Sequence, residues 1–271
     1  MGIHPTAIVD SKAELDSDVH VGPYAVIGAD VRIGAGTHIG ASAQLQGPCR
    51  IGPANRIFPH ACVGFEPQDL KYQGERSELV IGARNRIREF ATLHRGTEVG
   101  GGRTEVGDDN LFMAYTHVAH DCRVGSRTIF GNASTLAGHV TIGDDAILSA
   151  FCAVHQFCRV GPHAYIGGYT IVTMDALPFA QTVGTKAVCL GINRVGLKRR
   201  GFDEDRLRVL ESAYRLIVRS KLPTPEAVER LQQEHAGVPD VELLIEFIQS
   251  TTRGVLKTPP GRAGSRGGST D

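Results

Sequence analysis

Every sixth residue from Ile3 to Val63 is aliphatic: Ile3, Val9, Leu15, Val21, Ile27, Ile33, Ile39, Leu45, Ile51, Ile57 and Val63. The phase returns at Ile81, Ile87 and Leu93, shifts, and then runs unbroken from Val106 through Phe112, Val118 and Val124 to Val172. None of these positions is polar in a chain that is only 41% hydrophobic, so the period is a property of the fold. Neither a helix of period 3.6 nor a strand of period 2 produces it; a hexapeptide β-solenoid does. Four residues after each aliphatic comes a small or β-branched side chain, as at Ala7, Val19, Ala25, Thr37, Cys49, Cys122, Ser134, Cys152 and Cys158. Three hexads then make one triangular coil, with aliphatics on the axis and small residues at the corners. Each coil rises by one strand spacing, about 4.8 Å.

This frame accounts for most of the composition. Gly is abundant, at 33 of 271 residues, and often follows the aliphatic, as at Gly22, Gly28, Gly34 and Gly40. Four of six Cys sit on the small-residue position, where a thiol serves as a buried hydrophobe. No CxxC pair points to zinc or redox chemistry. Lys+Arg and Asp+Glu are both 29, a balance that disfavours nucleic acid and membrane surfaces as partners. The start, "MGIHPTAIVD", has no charged and no apolar segment of a signal peptide, and no apolar run reaches the roughly 20 residues of a membrane span. The expected location is cytoplasmic.

The ladder breaks twice, at 65–78 ("FEPQDLKYQGERSE") and at 96–105 ("GTEVGGGRTE"). Such insertions emerge as loops on a solenoid, and loops carry function. The expected fold is a parallel β-helix over 1–178, then a connection and an α-helical domain over 179–257. Helices are expected around Leu207–Val218, from an N-cap at Thr224 to about Gln233, and from Asp240 onward. They are expected to cover the open end of the β-helix, and residues 258–271 read as a disordered tail.

One stretch, "YTHVAHDCRVG" at 115–125, carries candidate chemistry. Val118 points inward and Cys122 takes the small position, so His120 and Asp121 fall at a turn and project outward, as does His117. Eighteen residues beyond His120, one coil up, is Gly138; eighteen beyond that is Gln156. A base beside an open backbone N–H is what acyl transfer needs: a proton acceptor next to an oxyanion donor. A metal would need three converging ligands, and His117, His120 and His139 would have to reach across corners or subunits. No metal or cofactor is expected.

The segments "HVAHDC", "LAGHV", "AVHQF", "QDLKYQGE", "NRIREFATLHRGT" and "GLKRRGF" resemble the UDP-N-acetylglucosamine O-acyltransferase family of lipid A biosynthesis, over roughly residues 1–256. The resemblance implies a homotrimer of left-handed β-helices with active sites between subunits. It also implies transfer of a 3-hydroxyacyl group from acyl carrier protein to the glucosamine 3-OH of UDP-N-acetylglucosamine. His120 would be the general base, Gly138 N–H the oxyanion donor, and Asp121 an orienting group. Gln68, Asp69 and Lys71 in the first loop, with His94, His117, His155 and Gln156, would line the sugar and acyl pocket. Asn193, Arg199 and Arg200 would hold the nucleotide, since Arg suits a diphosphate. Gly168 would set the acyl length, about 13 Å along the axis from His120.

Two positions depart from the family pattern: Val195, where an acidic residue is usual, and Thr185-Lys186-Ala187, where Asn-X-Ala is usual. Both touch the nucleotide side of the reaction rather than the acyl side. A sister N-acyltransferase carries an extra domain before its repeats, whereas this ladder starts at Ile3. A zinc β-helix enzyme and a non-enzymatic trimeric scaffold are the other readings. The scaffold leaves the His120–Gly138–Gln156 column and both polar loops without a purpose.

Overall fold

The computed structural model describes residues 2–220 and 222–258, so the expected tail lies outside the described residues beyond Thr258. Two-residue strands stack in register into three sheets of eleven, nine and eight strands, and the chain visits the sheets in turn. All pairing is parallel except the last pair of the first sheet. The result is a left-handed parallel β-helix. We name its corners first, second and third, for the passages from first to second sheet, second to third, and third back to first.

The usual register is eighteen residues, as in Val21↔Ile39. Ile51 instead pairs with Ile81, thirty residues on, and Ile81 with Val106, twenty-five on. Both insertions therefore leave at the second corner. They are shorter than the sequence suggests: Phe65 and Glu78 belong to strands, and Arg103, Thr104 and Glu105 form a strand with Val106. The first loop is thus 66–77 and the second 95–102. From Val21 upward the aliphatic ladder is buried. At the bottom Ile3 is exposed, because no coil lies beneath it.

Most corners are made by one residue in the left-handed region. All nineteen non-glycine residues with positive φ lie three places after an inward-facing residue, for example Tyr24, Asp121 and His139. This conformation costs about 1–2 kcal/mol for a residue with a Cβ. At most of these positions it is offset by a hydrogen bond: the N–H reaches the carbonyl at the preceding corner position one coil below, while Tyr24 and Asp121 donate to the hydroxyls of Thr6 and Thr104. Examples are His139 N to His120 O at 3.0 Å and Phe151 N to Asn132 O at 2.9 Å.

The small-residue column holds a surprise at the third corner. Asn55, Asn85 and Asn110 occupy it, fully buried. Each carboxamide oxygen accepts the backbone N–H of the residue above: Asn55 from Asn85 at 2.8 Å, Asn85 from Asn110 at 2.9 Å, Asn110 from Thr128 at 2.8 Å. The side chains thus supply the corner acceptors that the backbone lacks there.

The upper end closes differently from expectation. Leu256, near the end of the described chain, joins the axial core, and its N–H donates to Asp175 O at 2.9 Å. The helices pack on Leu177, Ala180 and Cys189 instead. They are α1 (Arg194–Arg199), α2 (Glu204–Tyr214, extended as a π-helix over Arg215–Arg219), α3 (Thr224–Glu234) and α4 (Pro239–Gln249). Thr224 is the first residue of α3 and not its cap. Pro223 stands at the cap, and the Thr224 hydroxyl accepts from Lys257 Nζ. Thr258 is also tied down, through its hydroxyl to Cys189 O.

If the Asn column holds the third corner, Asn110→Leu should be costly despite similar volume. It orphans the buried Thr128 N–H and hydroxyl, both of which Asn110 accepts, at about 1–3 kcal/mol each. A fall of the urea or thermal midpoint is expected, with a folded core retained. Parent-like stability would show that the column contributes nothing.

Candidate active site

Asp121 has φ 59°. That left-handed turn brings its side chain back against the preceding residue, and His120 Nδ1 lies 2.7 Å from Asp121 Oδ2. Asp121 therefore does not project into solvent as expected; its side chain is 1% exposed. The cover is the second loop, whose Thr97 N–H donates to Oδ1 at 2.8 Å and whose hydroxyl donates to Oδ2 at 2.7 Å. Burial alone would raise the Asp121 pKa. The donors from His120 and Thr97, with the field of His139, outweigh it and hold the carboxyl below its ordinary value. An ionised Asp121 fixes the proton of His120 on Nδ1 and leaves Nε2 with a free lone pair.

That nitrogen faces Gly138. A Cβ built on Gly138 would lie 2.4 Å from His120 Cε1 and 2.6 Å from Nε2, so only glycine fits. Gly138 is buried beneath the ring rather than open, a correction to the sequence reading. Its N–H makes no hydrogen bond among the described residues. His139, one coil above Asp121, stands edge-on to His120 with ring centroids 5.2 Å apart and stacks on Phe157 at 4.5 Å. Adding eighteen to Asp121 would have found it. Burial lowers the His139 pKa, opposed in part by Asp121 and by Asp69 of the first loop.

On the second sheet lie two more imidazoles, His117 in the same coil and His94 one coil below. His94 is buried and bonded to the carbonyl of Glu66. His117 Nδ1 lies 2.7 Å from the Thr92 hydroxyl, and the two rings meet edge-on at 5.2 Å. Burial, with the like charges of His94 and His120, pushes His117 down to about 4. Burial likewise lowers His94. Both are neutral at neutral pH and offer hydrogen bonds rather than charge.

The second corner thus gathers His94, His117, His120, Asp121, Gly138 and Asp69. Gln68 and Lys71 are exposed on the first loop. Asp69 Oδ1 accepts the Lys71 N–H at 3.0 Å, which shapes the loop tip. His155 and Gln156 are exposed above Gly138, and Arg253 Nη2 approaches His155 Nδ1 at 3.2 Å.

The remaining candidates are elsewhere in the chain. Asn193, Arg199 and Arg200 do not precede the first helix; they cap, end and follow α1, a helix that sequence periodicity misses because it is six residues long. The Asn193 side chain accepts from Gly196 N and donates to His163 O. Arg200 is paired with Asp145 at the third corner. Arg199 is exposed and makes no ion pair among the described residues. Gly168 is exposed at the first corner. It has His120's place in its hexad but lies across the second sheet from it.

The metal reading finds a different trio from the one expected: His120, Asp121 and His139, with ligand atoms within 4.8 Å of one another. Asp121, however, already accepts three protein donors, two of them on Oδ2. Nδ1 of His120 is spent on that carboxylate. The set suits proton transfer better than coordination.

The His117 shift predicts an acid-sensitive fold. Its imidazole titrates near 6.5 in the unfolded chain and near 4 in the fold, so between these values the unfolded state binds the extra proton. The contribution is complete above about 6.5, falls as the pH drops toward 4, and amounts to at most about 3 kcal/mol. His117→Gln should flatten the decline of thermal midpoint across this window. A decline as steep as the parent's would reject the assignment.

Comparison with known proteins agrees with this geometry. Residues 175–256 match the family model described as UDP-N-acetylglucosamine O-acyltransferase, domain 2, and residues 12–47 match the bacterial transferase hexapeptide. The chain is 52% identical over 255 residues to the acyl-[acyl-carrier-protein]–UDP-N-acetylglucosamine O-acyltransferase of Halorhodospira halophila, covering 94% of this chain and 99% of the relative. It is 44% identical to that of Thermodesulfovibrio yellowstonii over the same shares. The solved UDP-N-acetylglucosamine acyltransferase of Francisella novicida superposes with TM-score 0.93 at 38% identity, covering 95% of each chain. The Acinetobacter baumannii structure superposes with TM-score 0.92 at 41% identity, covering 94% of this chain and 99% of that one. This chain belongs to the UDP-N-acetylglucosamine O-acyltransferase family.

Proposed function

We propose that this chain transfers a 3-hydroxyacyl group from acyl carrier protein to the glucosamine 3-OH of UDP-N-acetylglucosamine, the first step of lipid A biosynthesis. The observation that carries it is the Asp121–His120–Gly138 arrangement: a carboxylate that fixes the tautomer, an imidazole with Nε2 free, and a glycine packed against that ring whose backbone N–H makes no hydrogen bond among the described residues. His120 Nε2 takes the proton of the 3-OH as the sugar oxygen attacks the thioester carbonyl. The negative charge on the carbonyl oxygen is met by Gly138 N–H. Collapse of the intermediate breaks the carbon–sulfur bond, and the imidazolium returns the proton to the leaving thiolate. Neutral His94 and His117, with Asp69, Lys71, Gln68, His155 and Gln156, border the place the sugar and acyl group would occupy.

The nucleotide groups bear on assembly. Asn193, Arg199 and Arg200 sit by the third corner, while His120 sits at the second, so one chain does not close the site. A homotrimer does, with α1 of one subunit facing the second corner of the next. Support comes from exposed aromatics stacked at the first corner, Phe90 on Tyr115 at 5.0 Å and Phe151 on Tyr169 at 5.1 Å. Exposed Ile8 and Ile171 on the second sheet continue this apolar face. Arg199, unpaired among the described residues, is the arginine available to a diphosphate, whereas Arg200 also serves Asp145. No helix among the described residues is long and apolar enough to cross a membrane, which is consistent with a cytoplasmic enzyme.

Gly168 is the acyl-length residue in this reading. It is not held at positive φ, and a Cβ there would meet only Ala150 O, at an ordinary 3.4 Å. Its turn therefore does not require glycine, and a groove that must stay open explains it better.

Purified protein with UDP-N-acetylglucosamine and a panel of hydroxyacyl carrier proteins should form the 3-O-acylated nucleotide. His120→Ala should lower kcat about 10²–10⁴-fold with the oligomer intact; near-parent activity would remove His120 as the base. Gly168→Met should shift preference to a shorter donor while activity on that donor survives. Equal loss on long and short donors, or no shift, would place the length limit elsewhere.

A further inference from the structure

The second loop touches the candidate chemistry through buried contacts alone. Thr97 is 4% exposed. Its N–H and hydroxyl take both oxygens of Asp121, and the same hydroxyl accepts Gly100 N–H at 3.1 Å. Gly102 N–H closes the turn on Thr97 O at 2.7 Å. A Cβ on Gly100 would fall 2.0 Å from Asp121 Cγ, although Gly100 is not held at positive φ. The glycine is needed for the approach of the loop to the carboxylate and not for the bend. From below, Asp121 N–H donates to the Thr104 hydroxyl at 2.8 Å, replacing the coil-to-coil bond that the insertion removes.

The loop is itself anchored. Arg95 is buried, and its guanidinium donates to Gly64 O at 2.9 Å, Gly47 O at 3.2 Å and the Tyr72 hydroxyl at 3.0 Å. It thus ties the second loop to the first loop and to a lower coil. A carboxylate held by three donors in a water-excluded place has one orientation, and an imidazole bonded to it has one tautomer.

We propose that loop 95–102 is a clamp and that Thr97 is a positioning residue for the acyl transfer, setting the tautomer and aim of His120 through Asp121. This rests on His120 being the base. Without the Thr97 hydroxyl, Oδ2 keeps only the imidazole proton and holds it more tightly, so the imidazolium gains stability. The acid limb of the kcat profile then moves to higher pH, while the loosened pair aims Nε2 less well. Other titratable groups face this pair and remain in place: His139, with Nε2 3.6 Å from Oδ2, His94 and His117 on the second sheet, and Asp69 on the first loop.

The test compares Thr97→Val, Thr97→Ser, Gly100→Ala and His120→Ala as intact oligomers, with kcat, both KM values and the acid limb measured. Thr97→Val should lose about 10- to 100-fold in kcat with little change in either KM and the acid limb raised. Thr97→Ser, which restores the hydroxyl, should recover most of the rate. Gly100→Ala removes no hydrogen bond but displaces the carboxylate, so it should show the same kcat loss even if Thr97→Val fails to fold. Parent-like kcat and acid limb in Thr97→Val or Gly100→Ala, beside an inactive His120→Ala, would overturn the clamp alone. So would a Thr97→Ser as damaged as Thr97→Val. An active His120→Ala would overturn the base assignment and the clamp with it.

Discussion

The structure depends on one backbone event repeated at most of its corners: a residue enters the left-handed region and gives its N–H to the coil below. Without that bond, the conformational cost of each corner would be uncompensated. With it, strands of two residues suffice, because the corners hold the register that longer strands would otherwise hold. The same event decides side-chain geometry. It stacks corner rings on successive coils, as in His139 on Phe157, and turns neighbouring side chains toward each other, as in His120 and Asp121. The dyad is therefore an ordinary corner of this solenoid with unusual side chains.

What makes this corner different is that the regular repeat has been opened just beneath it. Both loops leave at the second corner, in the two coils below His120. A regular corner would leave Asp121 in water, where a carboxylate does little to fix an imidazole. The second loop removes the water and supplies hydrogen bonds in exchange. Burial then works in two directions: it depresses His94, His117 and His139, while the donors keep Asp121 ionised. Three neutral imidazoles and one anion surround His120, so the site places little positive charge beside the proposed base.

Much of this was legible in the residues. The six-residue period names the architecture, and eighteen-residue addition places Gly138 over His120, because a solenoid converts sequence distance into height. Periodicity is silent wherever the chain leaves the period. Thr97 lies in a loop whose path no repeat specifies, so its hold on Asp121 could not be read. The Asn55–Asn85–Asn110 column was missed because carboxamides look too polar for a core, until the backbone N–H groups they serve are seen. α1 is too short to show a helical period, which is why Arg199 and Arg200 seemed to precede the helices. The end plug escaped notice because Leu256 is a lone apolar residue in a polar stretch.

A triangular prism has flat faces, and flat faces do not enclose a substrate. One chain offers a trough on its third sheet, lined by Glu14, Arg32, Arg50 and Val80, but it lies on the N-terminal coils away from His120. The dyad is on an edge, where the second loop covers Asp121 and leaves the His120 side chain 12% exposed. The basic residues near α1 are on another edge, and a stiff solenoid cannot bend to bring the two together. In the proposed trimer, concavity comes from placing one prism against another. The exposed rings of the first corner and the apolar outer positions of the second sheet are an adhesive suited to this, lying on the face that joins the Gly168 edge to the His120 edge. In the proposed trimer, association builds the cleft itself, and the residues proposed to select substrate are divided between copies by the same geometry that makes each copy rigid.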